Sequence, residues 1–300
     1  MCYPKARRPW RRNPVKELSL HFGFLIQPAG FDIGDALIAY QASDSVIRAF
    51  IVGLLNTLAM ALSAGLGAML LGSLVGVGLV VSNRFSQGAL QVFVELMRNL
   101  PKLLLLLAIY IVMVNTLPVV REAFNPLPGV YLSNRGLAFP GFDWATGQFS
   151  VPQIDRFSFQ GGWELQTQFV ALWLTLTVYH GAQIAEVVRG GLQAVPKGQW
   201  EAASALGLTL TQRLRLVVLP QVMQQIIPSL ISQFVNLLKN TSIGLAVGFT
   251  DLMAVASTTI NQAFKPVEVM VIIMLVYLAI GLILSSGFNA MSRRFRRSLG

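Results

Sequence analysis

The sequence is poor in the side chains from which most catalytic centres are built. It holds one cysteine, Cys2, and two histidines, His21 and His180, in 300 residues. A lone cysteine excludes a disulfide framework, and so few thiol and imidazole ligands leave no metal cluster to assemble. There is no G-x-x-x-x-G-K-[ST] phosphate loop, no H-E-x-x-H pair and no G-x-S-x-G elbow. Neither a metal nor a cofactor is expected, and any ATP used with this chain would be bound by another. Cys2 does not make a lipoprotein signal, because no apolar segment precedes it. Charge is scarce too. Only 12% of residues are Asp, Glu, Lys or Arg, about half the roughly 25% of a soluble domain.

What fills the chain instead is apolar. Hydrophobic residues make up 54% of it, the mean hydropathy is +0.61, and runs such as Ala49–Val81 and Val269–Leu284 carry no charge. These read as membrane-spanning helices, so the fold class is all-α, a polytopic helical membrane protein. The formal net charge of +10 could suggest nucleic acid. The basic residues cluster at the ends of apolar runs, however, where membrane topology accounts for them.

Five spans are expected, flanked by a basic head over 1–45 and a basic tail over 292–300, with the membrane domain over 46–291. The first covers about 46–82, either as one long helix or as a hairpin. No Pro, Asn or Asp lies between Leu58 and Val80 to turn the chain, which favours one helix. Ala64, Ala68, Gly72 and Gly76 recur every four residues, a small-residue ridge for close packing. The second span covers about 101–117 and is followed by a Pro- and aromatic-rich loop, 118–165, without helical periodicity. The third covers 166–189, the fourth 221–248 and the fifth 269–290. Arg84, Arg98 and Lys102, then Arg189, Lys197, Arg213 and Arg215, then the Arg293–Arg297 cluster share one side, which the positive-inside rule makes cytoplasmic. Residues 118–165 then lie outside and 190–219 inside. The head, with Lys5, Arg7, Arg8, Arg11, Arg12 and Lys16, conflicts with this count, because five spans leave it outside.

Two spans carry polar stripes. Thr175, Tyr179, Gln183 and Glu186 share one helix face, as do Gln225, Ser229, Ser232, Asn236 and Lys239. Polar groups in hydrocarbon are costly and face a protein interior or a water-filled path. The alternative is that they only bond helix to helix. Thr175, Tyr179, Ser232, Gln233 and Asn236 fall near mid-span, Glu186 toward the cytoplasmic end, and Lys239 toward the outer half. Glu186 is also in reach of Arg189, three residues on. His180 reads as a packed neutral side chain.

Between these spans lies "VPKGQWEAASALGLTLTQRLRLVVLP", Val195 to Pro220, too polar to cross. Ala203, Leu206, Leu210, Leu214 and Val217 form an apolar helical stripe. Gly207 is placed to stop one short helix, Thr209 with Gln212 to cap another, and Pro220 suits the first turn of the next span. The unit either floats at the lipid surface or docks on a partner protein.

The residues "EAASALG" and "VVLP" resemble the EAA signature of the permease subunits of ATP-binding-cassette importers. The matching positions are Glu201, Ala202, Ala203, Gly207, Leu219 and Pro220. "AEVVRGGLQAVPKGQWEAA", "LLKNTSIG" and "VELMRNLP" are similar to the polar amino-acid permeases. "AGFDIG" and "LSNRGLAFP" resemble the general L-amino-acid and glutamate/aspartate subgroup. The resemblance implies a type I importer fold in a bacterial inner membrane, with the EAA unit coupling to cytoplasmic ATP-binding subunits. It also implies a sister permease or a second copy, an external solute-binding protein and an amino-acid substrate. The chain departs from the family at "KLLLLLAIY", where a Gln-containing, aromatic-rich run is usual. An extra N-terminal span and a longer insertion before the third span, frequent in the subgroup, are not found here. A secondary transporter or channel, or a membrane-embedded enzyme, would need no partner ATPase.

Overall fold

The computed structural model describes residues 20–34, 36–143, 147–155 and 158–297; the basic head from Lys5 to Lys16 lies outside them. Among the described residues the helices are α1 (Val46–Val81), α2 (Arg84–Asn99), α3 (Lys102–Thr116), α4 (Thr167–Gln193), α5 (Lys197–Ala205), α6 (Leu210–Arg213), α7 (Leu219–Asn240), α8 (Leu252–Ala263) and α9 (Pro266–Arg297). Eight strands of three or four residues, β1 to β8, lie between Phe124 and Gln166.

The first span is one helix of 36 residues, about 54 Å long, so the hairpin alternative does not form. Ser45 caps its start by accepting from Arg48 N–H at 3.4 Å. The small-residue ridge packs against α4, and the approach is as close as the missing side chains allow. A Cβ on Gly72 would sit 2.6 Å from Ile184 Cβ and 2.7 Å from the Gly181 carbonyl oxygen; one on Gly76 would lie 2.6 Å from the Ala185 oxygen.

The second span is not a straight crossing. α3 has 15 residues, about 22 Å, less than the roughly 30 Å of a hydrocarbon core. Only together with α2 is it long enough, and the two helices are bent by 105°. Pro101 supplies the bend, since the residue before a proline is pushed out of the helical region and Leu100 is extended at φ −77°, ψ 136°.

The fourth span is continuous as far as Val247, and a break follows it. α7 ends at Asn240, a 3-10 turn covers Thr241–Val247, and Gly248 takes a left-handed φ of 85°. Asp251 then caps α8 by accepting from Ala254 N–H at 2.9 Å. α1 holds this break together: Asn56 Nδ2 donates to the Thr250 oxygen at 2.8 Å, and Leu252 N–H donates to Thr57 Oγ1 at 3.0 Å. The fifth span, α9, runs on without interruption through Arg297, so the basic tail begins inside a helix.

The stretch over 118–165, expected without regular structure, holds an antiparallel sheet in the order β1-β2-β3-β8 and two hairpins, β4–β5 and β6–β7. The all-α expectation is corrected accordingly: the chain is predominantly helical with a small strand assembly at one end. β8 runs straight into α4, Gln166 being the last strand residue and the helix N-cap. Three stretches, over 46–81, 210–247 and 266–288, are apolar and long enough to cross a membrane. α4, at 27 residues, has the length and carries the polar face.

Candidate functional site

His180 is the middle residue of α4, thirteen positions from either end, and its imidazole meets Asn240, the last residue of α7. α7 therefore stops halfway along α4. Counting along 221–248 had put Lys239 in the outer half; the meeting of Asn240 with His180 brings it level with Tyr179 and Gln183. α3 begins at the same level, with Lys102. These three helices enclose a cavity of about 400 Å³ lined by Lys102, Tyr179, His180, Gln183, Gln233, Asn236, Lys239 and Asn240.

A chain of hydrogen bonds fixes its wall. Lys102 Nζ donates to Asn240 Oδ1 at 2.8 Å, which leaves Asn240 Nδ2 to donate to His180 Nε2 at 3.0 Å. The imidazole proton then belongs on Nδ1, facing Gln233 Oε1 at 3.4 Å. With Nε2 accepting and one proton on Nδ1, the imidazole is neutral. The Lys102 ammonium also stands 5.2 Å from the centre of the Tyr179 ring, within cation–π range.

The cavity lining includes two ammonium groups and no carboxylate. Lys102 is the first residue of α3, whose N-cap Pro101 offers no side-chain cap, so free N–H groups and the positive end of the helix dipole add to its charge. Lys239 sits in the last turn of α7, where the dipole favours a cation. An occupant with negative charge is the electrostatic complement.

Of the sequence-derived path residues, the fold brings Tyr179, Gln183, Gln233, Asn236 and Lys239 to this cavity and leaves the others apart. Thr175 is fully buried and returns its hydroxyl to the Ala171 oxygen at 2.7 Å. Ser232 is exposed and bonds the Pro228 oxygen at 3.3 Å. Glu186 lies farther along α4, where its carboxylate joins Arg189 at 2.6 Å and Arg98 at 3.2 Å; the expected pairing with Arg189 is present, and Arg98 adds a bond from α2. Lys102 and Asn240 were not singled out for this site, and His180 had been read only as a packed neutral side chain. Lys102 had been read only as an orienting charge, and the sequence signal for its role is its place immediately after Pro101.

At the end of the bundle where α4 finishes stands the helix–Gly–helix unit. α5 is closed at Gly207, whose φ is +74°. Gly207 N–H donates to the Ser204 oxygen at 2.9 Å and Leu208 N–H to the Ala203 oxygen at 3.3 Å, the paired bonds of a Schellman cap. Thr209 and Gln212 form the reciprocal capping box that opens α6. A π-helical turn over Leu214–Val218 joins α6 to α7 and carries Pro220 into the first turn. Sequence reading found no sign of it. Ala203 is buried, while Glu201, Ala202, Leu206, Leu210, Leu214 and Leu219 are exposed. Leu206, at 79% exposed, heads an apolar face that nothing among the described residues covers.

Known proteins resemble this chain in sequence and in fold. Residues 68–297 match the family described as the binding-protein-dependent transport system inner membrane component. The chain is 36% identical to the general L-amino acid transport system permease protein AapQ of Rhizobium johnstonii, over 89% of this chain and 82% of that protein. It is 32% identical to the glutamate/glutamine/aspartate/asparagine transport system permease protein BztB of Rhodobacter capsulatus, over 94% and 87% of the two chains. Among solved structures, an amino acid ABC transporter crystallised with histidines superposes with a TM-score of 0.60 at 25% identity, covering 83% of this chain and 94% of that one.

Proposed function

The chain belongs to the binding-protein-dependent transport system inner membrane component family, and from that premise we propose that it is the membrane-spanning permease subunit of an ATP-driven amino-acid importer. Relatives named for amino-acid transport support the solute class. ATP would be hydrolysed by separate cytoplasmic subunits, since no phosphate loop occurs in this sequence. A solute-binding protein would deliver from outside, and a sister permease or a second copy of this chain would complete the pore. The strand assembly then faces outward and the unit over 190–219 faces the cytoplasm of a bacterial cell, across its inner membrane. Glu201, Ala202, Ala203, Gly207, Leu219 and Pro220 belong to the docking unit. Closure of the ATPase pair would move α5 and α6 and, through the π-turn, tilt α7 against α4, opening the cavity to one side and then to the other.

The single observation carrying this reading is the cavity itself: a polar, doubly cationic chamber halfway along α4. Placing such groups in the middle of a membrane-spanning helix bundle without purpose is expensive. Its two ammonium groups favour acidic amino acids, whose side-chain carboxylate gives a net negative solute. Tyr179, Gln183, Gln233 and Asn236 supply neutral donors and acceptors around it.

The test is reconstitution with the ATP-binding subunits and uptake of a labelled amino-acid panel. ATP-dependent accumulation, acidic solutes first, is expected. Accumulation without any bound ATPase would return the chain to a secondary transporter. Sidedness is checked with Gln199→Cys in a Cys2→Ser background: an impermeant thiol reagent should not label it from outside intact cells.

A further inference from the structure

A second polar cavity, of about 450 Å³, lies at the strand end of the same α3–α4 groove, and the transport reading above assigns it nothing. Its walls are built by a clamp. Gly136 starts β3 with a φ of +127°, and a Cβ there would sit 2.0 Å from the Leu165 oxygen, so only glycine fits. That close approach lets Thr167 at the start of α4 bond the turn before it. Thr167 N–H donates to the Arg135 oxygen at 3.0 Å and Thr167 Oγ1 to the Asn134 oxygen at 2.7 Å. Asn134 N–H in turn donates to the Pro118 oxygen at 2.8 Å, just past α3. Arg135 is thereby held at the cavity by its backbone. On the neighbouring strand β8, Glu164 and Gln166 lie two apart and line the same space. Partial desolvation pushes the Glu164 carboxyl above its ordinary range, and the Arg135 charge draws it back.

We infer that this cavity is a vestibule subsite for the zwitterionic α-amino-acid group, Arg135 receiving the α-carboxylate and Glu164 the α-ammonium. One cation and one anion lining a single chamber suit a dipolar solute better than a simple ion of either sign. They read the part common to every amino acid and ignore the side chain. The chamber is separate from the deeper cavity: Gln168 precedes Tyr179 by eleven residues, about 16 Å along α4, and Tyr110 follows Lys102 by eight, about 12 Å along α3. A solute leaving the vestibule can follow these two helices inward, where Lys102 and Lys239 read its side chain. Selection is thereby divided, the backbone first and the charge second. The inference rests on the amino-acid transport reading.

The test uses the complete complex in proteoliposomes, with glycine, leucine and glutamate as labelled solutes. Arg135→Gln and Glu164→Gln should each lower uptake at limiting solute by about tenfold, the loss of one charge-assisted bond, and equally for all three. Arg135→Lys should keep most of it. Glycine methyl ester gives a sharper readout, because it lacks the carboxylate. Arg135→Gln should shrink the preference for glycine over its ester by about tenfold, whereas Glu164→Gln should leave that preference intact. If the Arg135→Gln complex fails to assemble, Glu164→Gln on β8 carries the uptake test alone. Wild-type uptake in the assembled neutral variants, a loss confined to glutamate, or an unchanged ester preference in Arg135→Gln overturns the subsite. A wild-type complex that carries none of the three solutes overturns the transport reading itself.

Discussion

Replacing Gly207 with valine isolates the contribution of one backbone torsion to coupling. No atom lies within 4 Å of where its Cβ would stand, so the substitution meets no steric neighbour. The whole penalty comes from φ +74°, a region that costs a residue with a Cβ about 1–2 kcal/mol, with the β-branched side chain toward the upper end. The chain can escape by rotating φ negative, but that breaks the two bonds from Gly207 and Leu208 to α5 and re-aims α6. A penalty of this size lowers the population of the native turn relative to alternatives by about five- to thirty-fold. The spans are untouched, so insertion and yield should be normal while co-purification of the ATPase and solute-stimulated hydrolysis fall. Gly198→Ala is the matched control: it lies inside α5, has no neighbour within 4 Å and has no positive φ, so alanine should be neutral or stabilising by up to about 1 kcal/mol. Full coupling in Gly207→Val would refute the reasoning and leave the segment an amphipathic hairpin on the lipid surface.

Gly72→Ala should destabilise the purified complex by about 1–3 kcal/mol, read as a lowered melting temperature, because the new methyl would strike the α4 backbone; Gly88→Ala, which meets nothing within 4 Å, should not. Thr57→Val removes the acceptor for the buried Leu252 N–H and should cost about 1–3 kcal/mol; unchanged thermal stability would mean the break before α8 is held by other contacts. Lys102→Gln should depress glutamate uptake more than leucine uptake by about tenfold, given a charge-assisted bond to a carboxylate; equal loss of both would assign Lys102 to the wall of the cavity rather than to solute recognition. Glu201→Lys reverses a charge on the exposed side of α5 and should weaken ATPase co-purification while the helix persists by circular dichroism.

Local rules carried much of this structure into view. The absence of turn formers between Leu58 and Val80 was enough for one long α1. The four-residue ridge from Ala64 to Gly76 was enough for its tight contact with α4. The Thr209–Gln212 box and the Gly207 stop were legible because caps depend on only a few neighbouring residues. The strands were not legible, since three or four residues between prolines and glycines carry too few alternations to register as a period of two. The fourth span was ended at Gly248, where the left-handed residue stands, but apolar content alone joined α7 to the 3-10 turn after it, and α8 went unread although Asp251 ahead of an apolar run is an N-cap signal. The cavity needed the fold: Lys102, His180 and Asn240 are 60 or more positions apart, and nothing local in the sequence joins them.

The central claim is that solute contacts the chamber between α3, α4 and α7. It is tested most directly by Asn236→Cys in a Cys2→Ser background, because Asn236 lines that chamber and is exposed to it. The rate of alkylation by a small thiol reagent is measured in the assembled complex, with and without saturating glutamate. The account predicts that glutamate slows the reaction severalfold and that a non-transported solute does not. An identical rate with and without glutamate, in a complex that still accumulates it, would contradict the account.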